Sequence, residues 1–173
     1  FLFLCAYFFY IDGVDTIIRM AASFGTTVGI NSTTLLVILL VTQFIAFPFA
    51  IIYGKLAQIF KGKAMLIAGI CVYIVICIFA FFLKTAREFW ILSILVGSSQ
   101  GGIQALSRSY FAKMIPKENS NEFFGFYNIF GKFAAIMGPF LVGIVTQITG
   151  DVRNGVLSLI LIFIVGVVLL LKD

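Results

Sequence analysis

"AMLIAGICVYIVICIFAFFL", Ala64 to Leu83, runs for 20 residues without a charge and is bracketed by Lys63 and Lys84. A helix rises about 1.5 Å per residue, so a run of this length matches the roughly 30 Å hydrocarbon core of a bilayer. It is about twice as long as a membrane-spanning strand and does not alternate with period two, so a helix is the reading. Working outward, five more stretches have the same character. They are Phe1 to about Phe24, about Leu35 to Ala57, Phe89 to about Ala112, Glu122 to Ile148 and about Val152 to Leu171. The expectation is an all-α membrane protein of six spanning helices.

Composition agrees. Hydrophobic residues make up 62% and charged residues 11% of the 173, and mean hydropathy is +1.16, whereas soluble domains are roughly 45–50% apolar and about 25% charged. The lipid bilayer is therefore the expected solvent of the chain. A net charge of +5 comes from 12 basic residues scattered among turns and single intramembrane positions, a pattern of membrane topology and not of nucleic-acid binding. With no histidine in the sequence, His-based catalysis, His metal ligands and a His pH switch are excluded. Cys5, Cys71 and Cys77 sit inside apolar runs without metal-ligand spacing and read as small core residues. No catalytic residue, metal or cofactor is expected: there is no GxSxG elbow, and Asp12 with Asp15 is a thin basis for a protease.

The turns carry helix-start chemistry. "TARE" (Thr85–Glu88) and "NSNE" (Asn119–Glu122) both predict capping boxes, and "TGD" (Thr149–Asp151) predicts a glycine stop followed by an Asp cap. Lys55, Lys61, Lys63, Lys113, Lys117 and Lys172 fall on one side of the membrane, against Lys84, Arg87 and Arg153 on the other. The positive-inside bias makes the first set cytoplasmic and puts both chain ends there.

Three helices then carry polar faces, and a fourth a single glutamine. In "YIDGVDTIIRMA" (Tyr10–Ala21), Asp12, Asp15 and Arg19 fall within roughly 60° on a helical wheel, with Asp15 and Arg19 at the i, i+4 spacing of an ion pair. In the fourth span Gln100, Gln104, Ser107 and Arg108 share about 100° of one face, beside a Gly97–Gly101 GxxxG pattern. The fifth span holds Asn128 and Lys132 at i, i+4, and the second holds Gln43 ahead of Pro48. A charge at the bilayer centre costs from about 3 to more than 10 kcal/mol, so these residues should face protein or water. Each has two readings. As a pathway, Asp12, Asp15, Arg19, Gln43, Gln100, Gln104, Arg108, Asn128 and Lys132 line an aqueous route for a substrate or ion; as structure, they are pairs, hydrogen-bond glue and interfacial anchors. Because the third and sixth spans carry no formal charge, a cavity lined by some helices and lipid contacted by others is the economical account, and a transporter follows. Its rival is a membrane scaffold or sensor whose buried charges only fix helix register.

With six spans, a basic turn after the second and polar faces on the first and fourth, the chain resembles the C-terminal half of a major facilitator superfamily transporter. "YIDGVDTIIRMA" and the long run "GSSQGGIQALSRSYFAKMIPKENSNEFFGFYNIFGKFAAIMGPFLVG" (Gly97–Gly143) resemble the vacuole-effluxer-like family, relatives of an autophagy-linked amino-acid effluxer. The resemblance implies that Phe1 begins the seventh of twelve helices and that a six-helix N-terminal half is the partner. It implies two inverted three-helix repeats, 1–83 and 84–173. It also implies a central cavity lined by the first and fourth helices, and efflux of amino acids or other small polar metabolites as substrate. Because a carboxylate can carry a proton and an Arg or Lys can pair with it, Asp12 or Asp15 is the expected protonation site and Arg19 or Lys132 the charge that balances it; the membrane is expected to be the plasma membrane of a bacterium or the vacuolar membrane of a fungus. One departure stands in "GKLAQIFKGK" (Gly54–Lys63): Gln58 occupies the place of the superfamily's acidic residue and Gly62 comes one place late.

Overall fold

The structure, a computed structural model, describes residues 1–173. It is all helix, with no strand: α1 (Leu2–Thr27), α2 (Ser32–Ile59), α3 (Gly62–Phe82), α4 (Ala86–Met114), a 3₁₀ turn (Lys117–Asn119), α5 (Ser120–Ala134), α6 (Met137–Thr149) and α7 (Val152–Lys172). Five segments are long and apolar enough to cross a membrane, α5 and α6 counting together as one. The sixth crossing is α1, in which every 18-residue window holds Asp12, Asp15 and Arg19. The helices thus form a multi-pass integral membrane bundle, in which α1 carries three charges within eight residues of its middle.

The fifth span is in two pieces, as the Gly138-Pro139 pair within it leads one to expect. It breaks at Ala135–Ile136. Pro139 explains the place: it has no amide to offer the carbonyl of Ala135 four residues earlier, and its ring crowds that carbonyl. Across the gap the Ile136 amide turns back to Ala134 O at 2.7 Å and the Phe140 amide reaches Ile136 O at 3.3 Å.

The ends follow sequence chemistry closely but not everywhere. Thr85 caps α4 in a full capping box, with Thr85 N donating to Glu88 Oε2 at 3.1 Å and Glu88 N to Thr85 Oγ1 at 3.4 Å. Asp151 caps α7, accepting from Arg153 N at 2.9 Å, and Gly150 ends α6 in the left-handed region at φ 74°. The box expected at Asn119–Glu122 does not form: the 3₁₀ turn carries the chain into α5, and the Asn119 side chain makes no cap bond. A cap that the sequence reading passed over, Asn31, accepts from Thr34 N at 2.8 Å and starts α2.

Packing runs α2 on α4, α4 on α3, α3 on α7, and α7 on α1 and α6, with α5 lying against α1. The core sits along α1, α3, α4 and α7, where Phe3, Tyr10, Tyr73, Phe89, Ile103 and Phe163 are fully buried. The GxxxG pattern serves the α2–α4 contact: a Cβ at Gly97 would press on Thr42 O, and one at Gly101 would overlap Ala46 O. No larger residue fits there, so bare backbone lets the two helices touch. The outer helices are the least enclosed, with 22% of the apolar window of α2 and 17% of that of the fifth span buried, against 56% for α4. Phe44, Phe47, Phe133, Phe140 and Ile148 all stand outward, far more exposed apolar surface than a soluble monomer shows. Of the cysteines, Cys77 is buried as expected, but Cys71 is exposed on the outer surface of α3.

Candidate functional site

The polar side chains of α1, α4 and α5 converge on an open cavity of about 360 Å³. Helix periodicity builds it. Tyr7, Ile11 and Asp15 stack at successive i, i+4 steps on α1; Gln104 and Arg108 do the same on α4; Tyr127, Asn128, Gly131 and Lys132 form one stripe on α5. The charged lining is one acid, Asp15, against two bases, Arg108 and Lys132, with the amides of Gln104 and Asn128 between them.

An aromatic floor supports this group. The rings of Tyr7 and Tyr127 stack at 4.2 Å, Phe111 stacks on Tyr127 at 5.1 Å, and Phe124 meets both Phe111 and Tyr127 edge-on. The Arg108 guanidinium lies 5.4 Å above the Phe124 ring, a cation–π contact that fixes its direction while leaving its N–H fork free. Lys132 has no such prop.

The expected residues divide by environment. Asp15, Gln104, Arg108, Asn128 and Lys132 meet at the cavity. Arg19, one turn beyond Asp15, is exposed and lines neither this cavity nor the apolar one described next. The Asp15–Arg19 ion pair suggested by their spacing is not closed, since no Lys or Arg nitrogen comes within 4.0 Å of a carboxylate oxygen in the chain. Gln43 and Gln100 line a separate, mostly apolar cavity of about 50 Å³ toward the other end of the bundle. There the Gln100 Oε1 is buried without a hydrogen-bond partner.

Ser107 is fully buried and belongs to packing. Its Oγ donates to Ile103 O at 2.6 Å. With that single hydrogen committed, the Tyr10 hydroxyl is the donor in their 2.7 Å contact, which ties α1 to α4.

Asp12 departs furthest from the expectation of a cavity wall. It is fully buried, and neither carboxylate oxygen has a hydrogen-bond partner. It points away from the cavity, at the break in the fifth span. A Cβ on Gly138 would lie 3.1 Å from Asp12 Oδ1 and would overlap Thr16 Oγ1, whose hydroxyl donates to Asp12 O at 2.6 Å. The Gly138 amide is the nearest donor to the carboxylate, although it stops short of hydrogen-bond geometry.

Tyr7 and Tyr127 are site residues that the sequence reading missed. The signal was present for Tyr7, which precedes Asp15 by eight residues, two i, i+4 steps along the same stripe. Nothing in the sequence alone sets Tyr127 apart from the many aromatic residues around it.

Comparison with known proteins bears on what such a bundle is. The profile described as vacuole effluxer Atg22 like matches residues 1–172. The chain belongs to the vacuole effluxer Atg22-like family. Within reach of this family, the chain is 61% identical over 170 residues to the MFS-type transporter YxiO of Bacillus subtilis (strain 168), covering 98% of this chain and 40% of that protein. It is 30% identical over 181 residues to Autophagy-related protein 22 of Vanderwaltozyma polyspora, covering 96% of this chain and 34% of that protein. Against Autophagy-related protein 22 of Saccharomyces cerevisiae (strain ATCC 204508 / S288c) it is 42% identical over 74 residues. The Atg22-like chain described here therefore spans about two fifths or less of the length of these relatives.

Proposed function

We propose that this chain is the C-terminal half of a secondary active transporter, and that its cavity forms one wall of the substrate route. The observation that carries this reading is the convergence of Asp15, Arg108 and Lys132 with two amides from three different helices. Intramembrane charges are costly, and facing a shared wet space removes that cost. A carboxylate recognises an ammonium group, and a guanidinium fork recognises a carboxylate. Amino acids carry both groups, so they are the substrate class that this wall fits; the kinship with an MFS-type transporter supports transport itself.

The packing pattern supports two inverted three-helix repeats. α1 lies on α7 as α4 lies on α3, α2 lies on α4 as α5 lies on α1, and α3 meets α7 across the middle. The cavity sits in the half of the bundle that holds the start of α1, the end of α4 and the start of α5. By the lysine bias this is the cytoplasmic half, with both chain ends on that side. The 61% identity to a Bacillus protein favours a bacterial plasma membrane. The other wall is the remaining length of the transporter, and Lys132, which lines the cavity, is the base that balances Asp15.

The test uses the full-length protein in proteoliposomes, with counterflow of radiolabelled alanine, lysine and glutamate as zwitterionic, cationic and anionic probes. Counterflow of at least one probe that fails in both Asp15→Asn and Arg108→Gln supports the reading. Protein that is correctly inserted yet moves none of the three, or whose counterflow survives both substitutions, rejects it in favour of a membrane scaffold.

A further inference from the structure

We propose that Asp12 is a proton-operated latch on the fifth span. Ionised, its carboxylate holds the first-turn amides of α6 against α1; protonated, it lets go, and α6 swings about the Ala135–Ile136 break. The purpose given to this motion rests on the transporter reading above, but the latch itself rests on geometry.

Two needs meet at one point. Asp12 is fully buried with both oxygens unpartnered, a condition that a carboxylate buried away from water does not hold without compensation. Opposite it, the Met137 and Gly138 amides lie in the first turn of α6, where a helix has no carbonyl of its own to offer them, and the Gly138 amide is directed at the carboxylate. A helix start carries about half a positive charge, so the first turn of α6 is the natural counterpart of an ionised Asp12. The approach is possible only because residue 138 is a glycine: any Cβ there would strike Thr16 Oγ1.

Nothing else on the facing elements does this work. The charged groups that act on Asp12 are Asp15 and Arg19 of its own helix. α6 contains no charged residue, α7 has only Arg153 and Lys172, at its two ends, and the charged residues of α5 are Glu122, in its first turn, and Lys132, which lines the cavity; α4 has Arg87, Glu88 and Lys113 in its end turns and Arg108 at the cavity, and α2 has only Lys55, near its end. The other flank of α1 is closed by the Phe163 ring against Gly13. Proton traffic is short. The proton comes from water in the cavity that Asp15, less than one helical turn away, adjoins; it binds a carboxylate oxygen of Asp12 and returns by the same way, with no other bond made or broken.

The break then acquires a role. A continuous helix would transmit no local change, whereas a span in two pieces can pivot its upper piece while α5 keeps its place beside the cavity.

The experiment uses the full-length protein in nanodiscs, on a background with its cysteines replaced, carrying spin labels at the exposed positions Thr26 and Gln147. Pulsed dipolar spectroscopy at about pH 8 and about pH 5 reads the distance between the ends of α1 and α6. The expected result is a shift in the wild-type background, its complete loss in Asp12→Asn with the low-pH distance at both values, and its retention in Asp15→Asn. A distance that does not change with pH in the wild-type background overturns the latch, as does a shift lost in Asp15→Asn or retained in Asp12→Asn. If Asp12→Asn does not insert, the wild-type and Asp15→Asn results decide alone. Counterflow on the same samples separates the two readings: a shift without counterflow removes the transporter and leaves the latch, and counterflow without a shift removes only the latch.

Discussion

Replacing Arg108 measures how strongly the cavity reads a carboxylate. Its guanidinium is steered by the Phe124 ring at 5.4 Å, so its two outward N–H groups are placed before any substrate arrives. A hydrogen bond to a charged group is worth about 1.5–3 kcal/mol, and about 1.4 kcal/mol is tenfold in affinity. Arg108→Gln should therefore raise the half-saturating concentration for alanine by about 10- to 150-fold where the site is closed from water. If the cavity stays as open as it is in this half, screening reduces the pair to about 0.2–1 kcal/mol, and the change falls to about fivefold or less. The size of the effect thus reports whether the rest of the transporter closes over the site. Arg108→Lys keeps the charge but loses the fork and its flat seat on the ring, and should fall between wild type and Arg108→Gln. The assay is counterflow in proteoliposomes with alanine and with alaninamide, which lacks the carboxylate. An Arg108→Gln protein that loses both probes equally, or that leaves alanine affinity unchanged, would refute the assignment.

Four further outcomes follow from the same geometry. Single cysteines at Gln104, Asn128 and Asp15 should react with a membrane-impermeant thiol reagent while one at Asp12 stays inert; the background must lack Cys71, which is itself exposed. Gly101→Leu drives a side chain into Ala46 O and should destabilise the α2–α4 pair by about 1–3 kcal/mol or prevent folding, read as a lower melting temperature in detergent. Thr85→Ala removes the α4 cap and should cost about 1 kcal/mol by the same measurement. Tyr10→Phe leaves Ser107 bonded to Ile103 O, so only the interhelical bond is lost, at about 0.6 kcal/mol.

Much of the fold was legible because its cause is local. Ala64–Leu83 can do little except cross a bilayer, and Thr85 with Glu88, or Asp151 after Gly150, states a helix boundary within four residues. The site was legible in outline for a related reason: Asp15, Gln104, Arg108, Asn128 and Lys132 are polar where polarity is costly, so each had to find water or a partner. What could not be read was the division within one stripe. Asp12 and Asp15 lie within roughly 60° on the wheel, yet one adjoins the cavity and the other is sealed. The difference is made by a residue more than a hundred positions away, since Pro139 interrupts the fifth span where Asp12 faces it and Gly138 lets the free end come close. Helical periodicity assigns a face, but the neighbour decides whether that face meets water or the start of another helix. In this chain the neighbouring helix separates the carboxylate that adjoins the cavity from the one sealed against the start of α6.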